Sequence, residues 1–265
     1  MEFTPQSVNP NGKQFRCEIG DLLVVNYSVE DDSPLIRLTF LQAKVADRYD
    51  RMKSPLPQWA LLSQRPAIKA VNQHINIPYD ILSNALFPSI TSYGFFYQDL
   101  ASSGWDFDFI QAQYLEPLKP IGKIIKNRSR TFYSTTYDQW TKRYSYKHDR
   151  EMMDMKRSSN LLAFGYGLEN CGIGSPIDLR PSHFDTNTLR ITEWLASILR
   201  SEISPTSIEE WEPNEHRASL IREVLEFLPT ETPLPKESLW RPNGIILVRG
   251  TPPDFELIEE IDYEY

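Results

Sequence analysis

A chain of 265 residues with 40% hydrophobic and 12% aromatic side chains can bury a sizeable core, which excludes wholesale disorder. The formal net charge of −8 argues against a uniformly basic nucleic-acid coat, and no run approaches the ~18 apolar residues of a membrane helix. Two cysteines, Cys17 and Cys171, are too few and too far apart for a disulfide framework or a zinc cluster. They suit a reducing compartment as small buried side chains. The opening "MEFTPQSVNPNGKQ" lacks a secretory apolar segment, so a cytoplasmic protein is expected.

In chain order, "KQFRCEI" places Phe15, Cys17 and Ile19 on one side and predicts a strand. Gly20 breaks it. "DLLVVNYSV" predicts a second strand, and the polar turn "EDDSP" predicts a hairpin into a third, "PLIRLTFLQAKV". Trp59, Leu61 and Leu62 predict a short helix ending before Pro66, and "SYGFFYQDL" a fourth, aromatic strand. Further on, a helix is expected from about Ser158, and "CGIGSPIDLRP" reads as a loop. "TNTLRITEWLASILRSEI" predicts an amphipathic helix with Thr186 or Thr188 as its N-cap, and "HRASLIREVLEFL" a second one closed by Pro229. "NGIILVRG" reads as a late strand before an acidic tail. The expected organisation is a core over residues 1–105 and an α-rich extension over 106–265 packed on it within the same domain.

Period two puts Ile36, Leu38, Phe40, Gln42 and Lys44 on one face of the third strand. Asp21 opens the neighbouring strand, where a hairpin would bring it beside the end of that face. An acid, an amide oxygen and a lysine next to a helix are the minimum kit for metal-assisted phosphodiester hydrolysis. A hard divalent cation takes oxygen ligands, and a lysine can position water and offset phosphate charge. Equally, Lys44 could snorkel from a sheet edge and Gln42 could satisfy a loop backbone group.

"GDLLVV" followed by "RLTFLQAKV" resembles the D…(D/E/Q)xK signature of the PD-(D/E)xK, or restriction-endonuclease-like, nuclease superfamily. The glutamine variant is similar to that of Mrr-type restriction enzymes. The resemblance covers residues 13 to 100 and implies an α/β restriction-endonuclease-like core, a mixed sheet flanked by helices. It also implies that Asp21, Gln42 and Lys44 are catalytic, with Asp21 and Gln42 holding Mg²⁺ or Mn²⁺. Glu18 and Gln58 are supporting candidates, Gln58 by its similarity to the helix glutamine of RecB-like relatives. The usual acid on a helix before the first strand is either missing or comes from elsewhere in the chain, since Glu2 is the only acid before Glu18.

A second signal is the segment in which Arg128, Arg130, Lys142, Arg143 and Lys147 interleave with Tyr137 and Trp140. Cations can hold phosphates while aromatic rings stack on unpaired bases. These residues form a candidate nucleic-acid-binding surface; the alternative is a solvated face with its aromatics turned inward. His148 and His183 have no ligand spacing, and Ser175 is not in a nucleophile elbow. The expected activity is therefore a Mg²⁺-dependent deoxyribonuclease in bacterial defence against foreign DNA, acting as a homodimer or within a larger complex. The alternative is a catalytically inactive nuclease-fold subunit that binds nucleic acid or partner proteins.

Overall fold

The computed structural model describes residues 2–3, 15–30, 33–46, 53–69, 77–99, 104–117, 129–134, 157–158, 160–177, 179, 186–203, 215–228 and 243–251. Two short strands come first, β1 (Glu2–Phe3) and β2 (Phe15–Arg16), paired only with each other. The expected first strand therefore shrinks to two residues and stays outside the main sheet.

The antiparallel hairpin of β3 (Leu22–Glu30) and β4 (Ser33–Ala46) is the centre of the fold. β3 is buried from Leu23 to Ser28 because both of its faces are covered, which explains its unbroken apolar "LLVV". β4 leads through β5 (Lys53–Pro55) into α1 (Leu56–Gln64). Arg65 ends that helix in the left-handed region (φ 49°), donating its N–H to the Leu61 carbonyl, and Pro66 follows. The chain then returns as β6 (Thr91–Asp99), parallel to β4. A parallel return needs a crossover, and α1 supplies it.

β7 (Gly104–Gln111) pairs antiparallel with β6, so residue 105 lies inside a strand of the main sheet. β8 (Leu115–Pro117) and β9 (Ser129–Ser134) join β5 in a separate three-stranded sheet. The main sheet continues with β10 (Arg157–Ser158) on β7. After α2 (Leu161–Glu169), β11 (Ser175–Ile177) interrupts the expected loop and pairs with β4. The helices α3 (Thr186–Ile203) and α4 (Glu215–Glu226) follow as expected, and β12 (Gly244–Arg249) runs parallel to β3. The sheet order is β10-β7-β6-β4-β3-β12. The protein is thus an α/β fold with a mixed sheet flanked by helices.

The two faces bury different clusters. On one, Leu23, Val25, Tyr27, Ile36, Leu38 and Phe40 meet Trp194, Leu195, Ile198 and Leu199 of α3 and Ile221 and Val224 of α4. Trp194 is fully buried, its ring 5.9 Å from that of Phe40. Further along the same face, Tyr93, Phe95 and Ile110 pack on Leu56 and Leu62 of α1. On the other face, Val24, Leu41, Phe107 and Phe109 pack against Phe164 of α2 and Ile173. Each such side chain contributes roughly 1.5–3 kcal/mol on burial. Among the described residues, no helix is long and apolar enough to cross a membrane.

Gly174 lets β11 approach β4. Its φ is +97°, and a Cβ there would stand 2.8 Å from the Leu38 backbone. Gly174→Ala is expected to cost ~2 kcal/mol or more, because it combines left-handed strain with a backbone clash that no rotamer change relieves. The midpoint of urea unfolding measures it; an unchanged midpoint would show that β11 can shift away freely.

Candidate functional site

The site begins with strand register. Leu22 pairs with Leu41, and the Asp21 N–H donates to the Leu41 carbonyl at 3.0 Å. Asp21 therefore stands opposite Gln42, and their side chains share a face. The parallel pairing of β4 with β6 puts Tyr93 on the other side of Gln42 and Phe95 beside Lys44. α1 lies across this end of the sheet and lowers Gln58 onto it, nearly fully buried.

The expected residues Asp21, Gln42, Lys44 and Gln58 come together as one hydrogen-bonded chain. Lys44 Nζ donates to Gln58 Oε1 at 2.9 Å, and Gln58 Nε2 donates to Gln42 Oε1. Gln42 Nε2 donates in turn to Asp21 Oδ2, which also accepts the Ala43 N–H at 2.9 Å. Every donor along the chain points from the ammonium to the carboxylate. The two amides in the middle are buried and the two charges at the ends are half-buried. A buried glutamine needs partners for its amide, and each of these finds them in the other.

Electrostatics follow from that placement. Burial lowers the pKa of the Lys44 ammonium, while the carboxylates of Asp21 and Glu18 act against the shift. Glu18 is exposed, so it reaches Lys44 through its charge. Its position three residues before Asp21 leaves it outside the hydrogen-bonded chain.

A hard cation would find one carboxylate here. Among the described residues, no group of three or more His, Cys, Asp and Glu side chains could hold a metal ion. Both hydrogen bonds to Asp21 fall on Oδ2, so Oδ1 stays outside the network. Oδ1 is thus the one oxygen of that carboxylate outside the hydrogen-bonded chain, and any further oxygen ligands for a cation would have to be water or substrate phosphate. Gln42 meets Asp21 through its nitrogen, so its oxygen, the expected ligand atom, points to Gln58 instead.

Of the expected nucleic-acid-binding residues, Arg130 lies in β9, paired with Ser54 of β5. Ser54 Oγ lies 3.0 Å from the Tyr93 hydroxyl, and Tyr93 neighbours Gln42. β9 is thereby tied by its backbone to the strand that leads into α1. Arg128, Tyr137, Trp140, Lys142, Arg143 and Lys147 lie outside the described residues, as do His148 and His183. Ser175 Oγ accepts the Phe87 N–H at 3.0 Å, a structural contact. Neither cysteine is in a disulfide, and burial pushes Cys17 up to about 12, far from a reactive thiolate.

One acid near the site was not anticipated. Lys44, Phe95 and Asp108 stand in one row across β4, β6 and β7, on the face that α1 covers. At ~4.8 Å per strand, Asp108 lies about 10 Å from the Lys44 backbone. The alternation in "WDFDFIQ" carries this information, with Trp105, Phe107 and Phe109 on one face and Asp106 and Asp108 on the other.

Burial, with a smaller contribution from the Asp106 carboxylate, raises Asp108 from 3.8 to about 8. The folded state thus holds a proton that the unfolded chain has released, so the Asp108 contribution to stability is full below about pH 4 and is lost between about pH 4 and 8. Asp108→Asn should flatten that decline in urea unfolding at pH 5 and pH 8.5; an identical slope in the variant would assign it to other groups. In the comparisons with known proteins, no family model, no curated protein and no solved structure matches this chain.

Proposed function

We propose that this protein is a metal-dependent nuclease with a restriction-endonuclease-like core, hydrolysing DNA phosphodiester bonds in defence against foreign DNA. The observation that carries the reading is the convergence of Asp21, Gln42, Gln58 and Lys44 at one end of the β3–β4 hairpin under α1. Asp21 is the group that would hold a hydrated Mg²⁺ or Mn²⁺. Bound there, such an ion supplies Lewis-acid polarisation of a phosphoryl oxygen and a more acidic water.

The protein's own groups do the rest. Lys44 lies at the half-buried rim, where an ammonium offsets phosphate charge and hydrogen-bonds an attacking water. The water oxygen forms the new P–O bond as one ester P–O bond breaks, and the water's proton reaches the leaving oxygen through solvent. Gln42 and Gln58 fix the distance between the acid and the lysine. β9, paired with β5, carries Arg130, and the basic and aromatic residues that flank it in the sequence are of the types that hold a nucleic-acid strand.

A second reading is supported by the same chain of bonds. With Gln42 Nε2 on Asp21 and Gln42 Oε1 accepting from Gln58, the buried amide of Gln42 has its partners within the protein. That state suits a non-catalytic nuclease-fold subunit that binds nucleic acid or partner proteins.

Incubation with plasmid and linear DNA in Mg²⁺ or Mn²⁺ separates the two. Cleavage is expected, with Lys44→Ala lowering the rate by about 10²-fold or more while the melting temperature holds. Absence of metal-dependent cleavage of duplex DNA, single-stranded DNA and RNA by the wild type would leave the subunit reading.

A further inference from the structure

The outer side of α2 is apolar where a surface helix is normally polar. Leu161, Leu162, Gly165 and Tyr166 recur on that side, with Leu161 61%, Leu162 84% and Tyr166 47% exposed. The inner side is already used, since Phe164 is buried against Phe107 and Phe109. The apolar surface continues from the helix onto the sheet. The rings of Phe96 and Phe164 each lie 4.8 Å from that of Phe107, and Phe96 is exposed. Val45 stands beside Phe96 in the register of β4 and β6, and Trp105 precedes Phe107 by two residues on the same face of β7. Val45 is 70% and Trp105 64% exposed. With full side chains of this size worth roughly 150–250 Å², the exposed parts of these six come to about 700 Å². That exceeds the apolar patch of a typical monomer and approaches the ~800 Å² that each partner of a standard interface contributes.

We infer that a second copy of this chain covers this face, the two α2 helices packing antiparallel about a two-fold axis at Gly165. The shape of α2 suits a copy of itself. A Cβ at Gly165 would meet nothing within 4 Å, so the backbone there is open to close approach by the matching turn of a second helix. Leu161 and Leu162 on one side of Gly165 meet Tyr166 of the other copy across the axis, and an isologous contact of this kind closes on itself. The charges suit the same arrangement. α2 has no acid in its first turn and no base in its last, and the exposed Glu169 sits at its C-terminal end, where the helix dipole opposes a carboxylate. An antiparallel copy brings each Glu169 to the first turn of the other helix, where N–H groups without intrahelical partners favour an anion. This face lies across the sheet from Lys44 and Gln58. The pairing is therefore independent of the nuclease reading and leaves the α1 side of both copies uncovered.

Sedimentation velocity on the full chain at about 10 µM should show a dimer. Leu162→Glu should weaken it about tenfold or more with the helical circular dichroism unchanged, because the position is exposed and an acid in the first turn suits a free α2. Glu169→Lys also suits a free α2, yet should weaken the dimer about threefold or more by setting a cation at the other helix's first turn. In oxidising buffer Gly165→Cys should form a covalent dimer. Glu169→Cys should not, since the two copies of residue 169 stand about 12 Å apart along the helices. A wild type still monomeric at about 100 µM would overturn the pairing and leave the face to a different protein. A dimer that withstands Leu162→Glu would place the interface elsewhere and overturn it too. A dimer unchanged or tightened by Glu169→Lys, or cross-linked through residue 169 rather than 165, would overturn the antiparallel register.

Discussion

The backbone bond from the Asp21 N–H to the Leu41 carbonyl is the constraint on which the site depends. It extends the β3–β4 ladder by one residue and sets Asp21 opposite Gln42. A slip of one position would send Asp21 to the α2 side of the sheet and Ile36, Leu38 and Phe40 off their helices. The apolar contacts of Leu38 and Phe40 with α3 and the polar contacts of Gln42 therefore enforce the same register. Core packing and site geometry are one decision, made along fourteen residues of β4.

That strand also explains why charge is tolerated where it lies. Half-buried Lys44 and Asp21 would each face a desolvation cost alone. The two glutamines between them align their amides head to tail, so the ammonium and carboxylate are linked through bonded dipoles rather than by direct contact. Such chains strengthen cooperatively in a low-dielectric setting.

The rest of the molecule fixes where this chain sits and what can reach it. The β4–α1–β6 crossover places the helix over the carboxyl end of β4, the side of an open α/β sheet where ligands commonly bind. β9 anchors the start of the basic and aromatic segment to β5, one residue before α1 begins. Asp108, three strands from Asp21, is buried under the same helix. Its raised pKa ties fold stability to pH close to the candidate site without its belonging to the hydrogen-bonded chain.

Much was legible in the residues themselves. The hairpin, α1 with its stop before Pro66, β6, α3, α4 and β12 are written in local periodicity and turn chemistry, which short-range sterics and hydrophobic patterning decide. The sharing of one face by Gln42 and Lys44 follows from period two alone, and the nearness of Asp21 from the hairpin. Local pattern does not reach pairing partners. "KQFRCEI" reads as a strand ahead of β3, yet Phe15–Arg16 pairs with β1, and β12, over two hundred residues later, takes the place beside β3. β7 went unread because acids alternate with its aromatics, and only the sheet shows which face is buried. The direction of the Gln42 amide was decided by tertiary structure too. A side-chain oxygen and nitrogen are equivalent in a sequence, and it took α1 laying Gln58 and Lys44 against one another to choose between them.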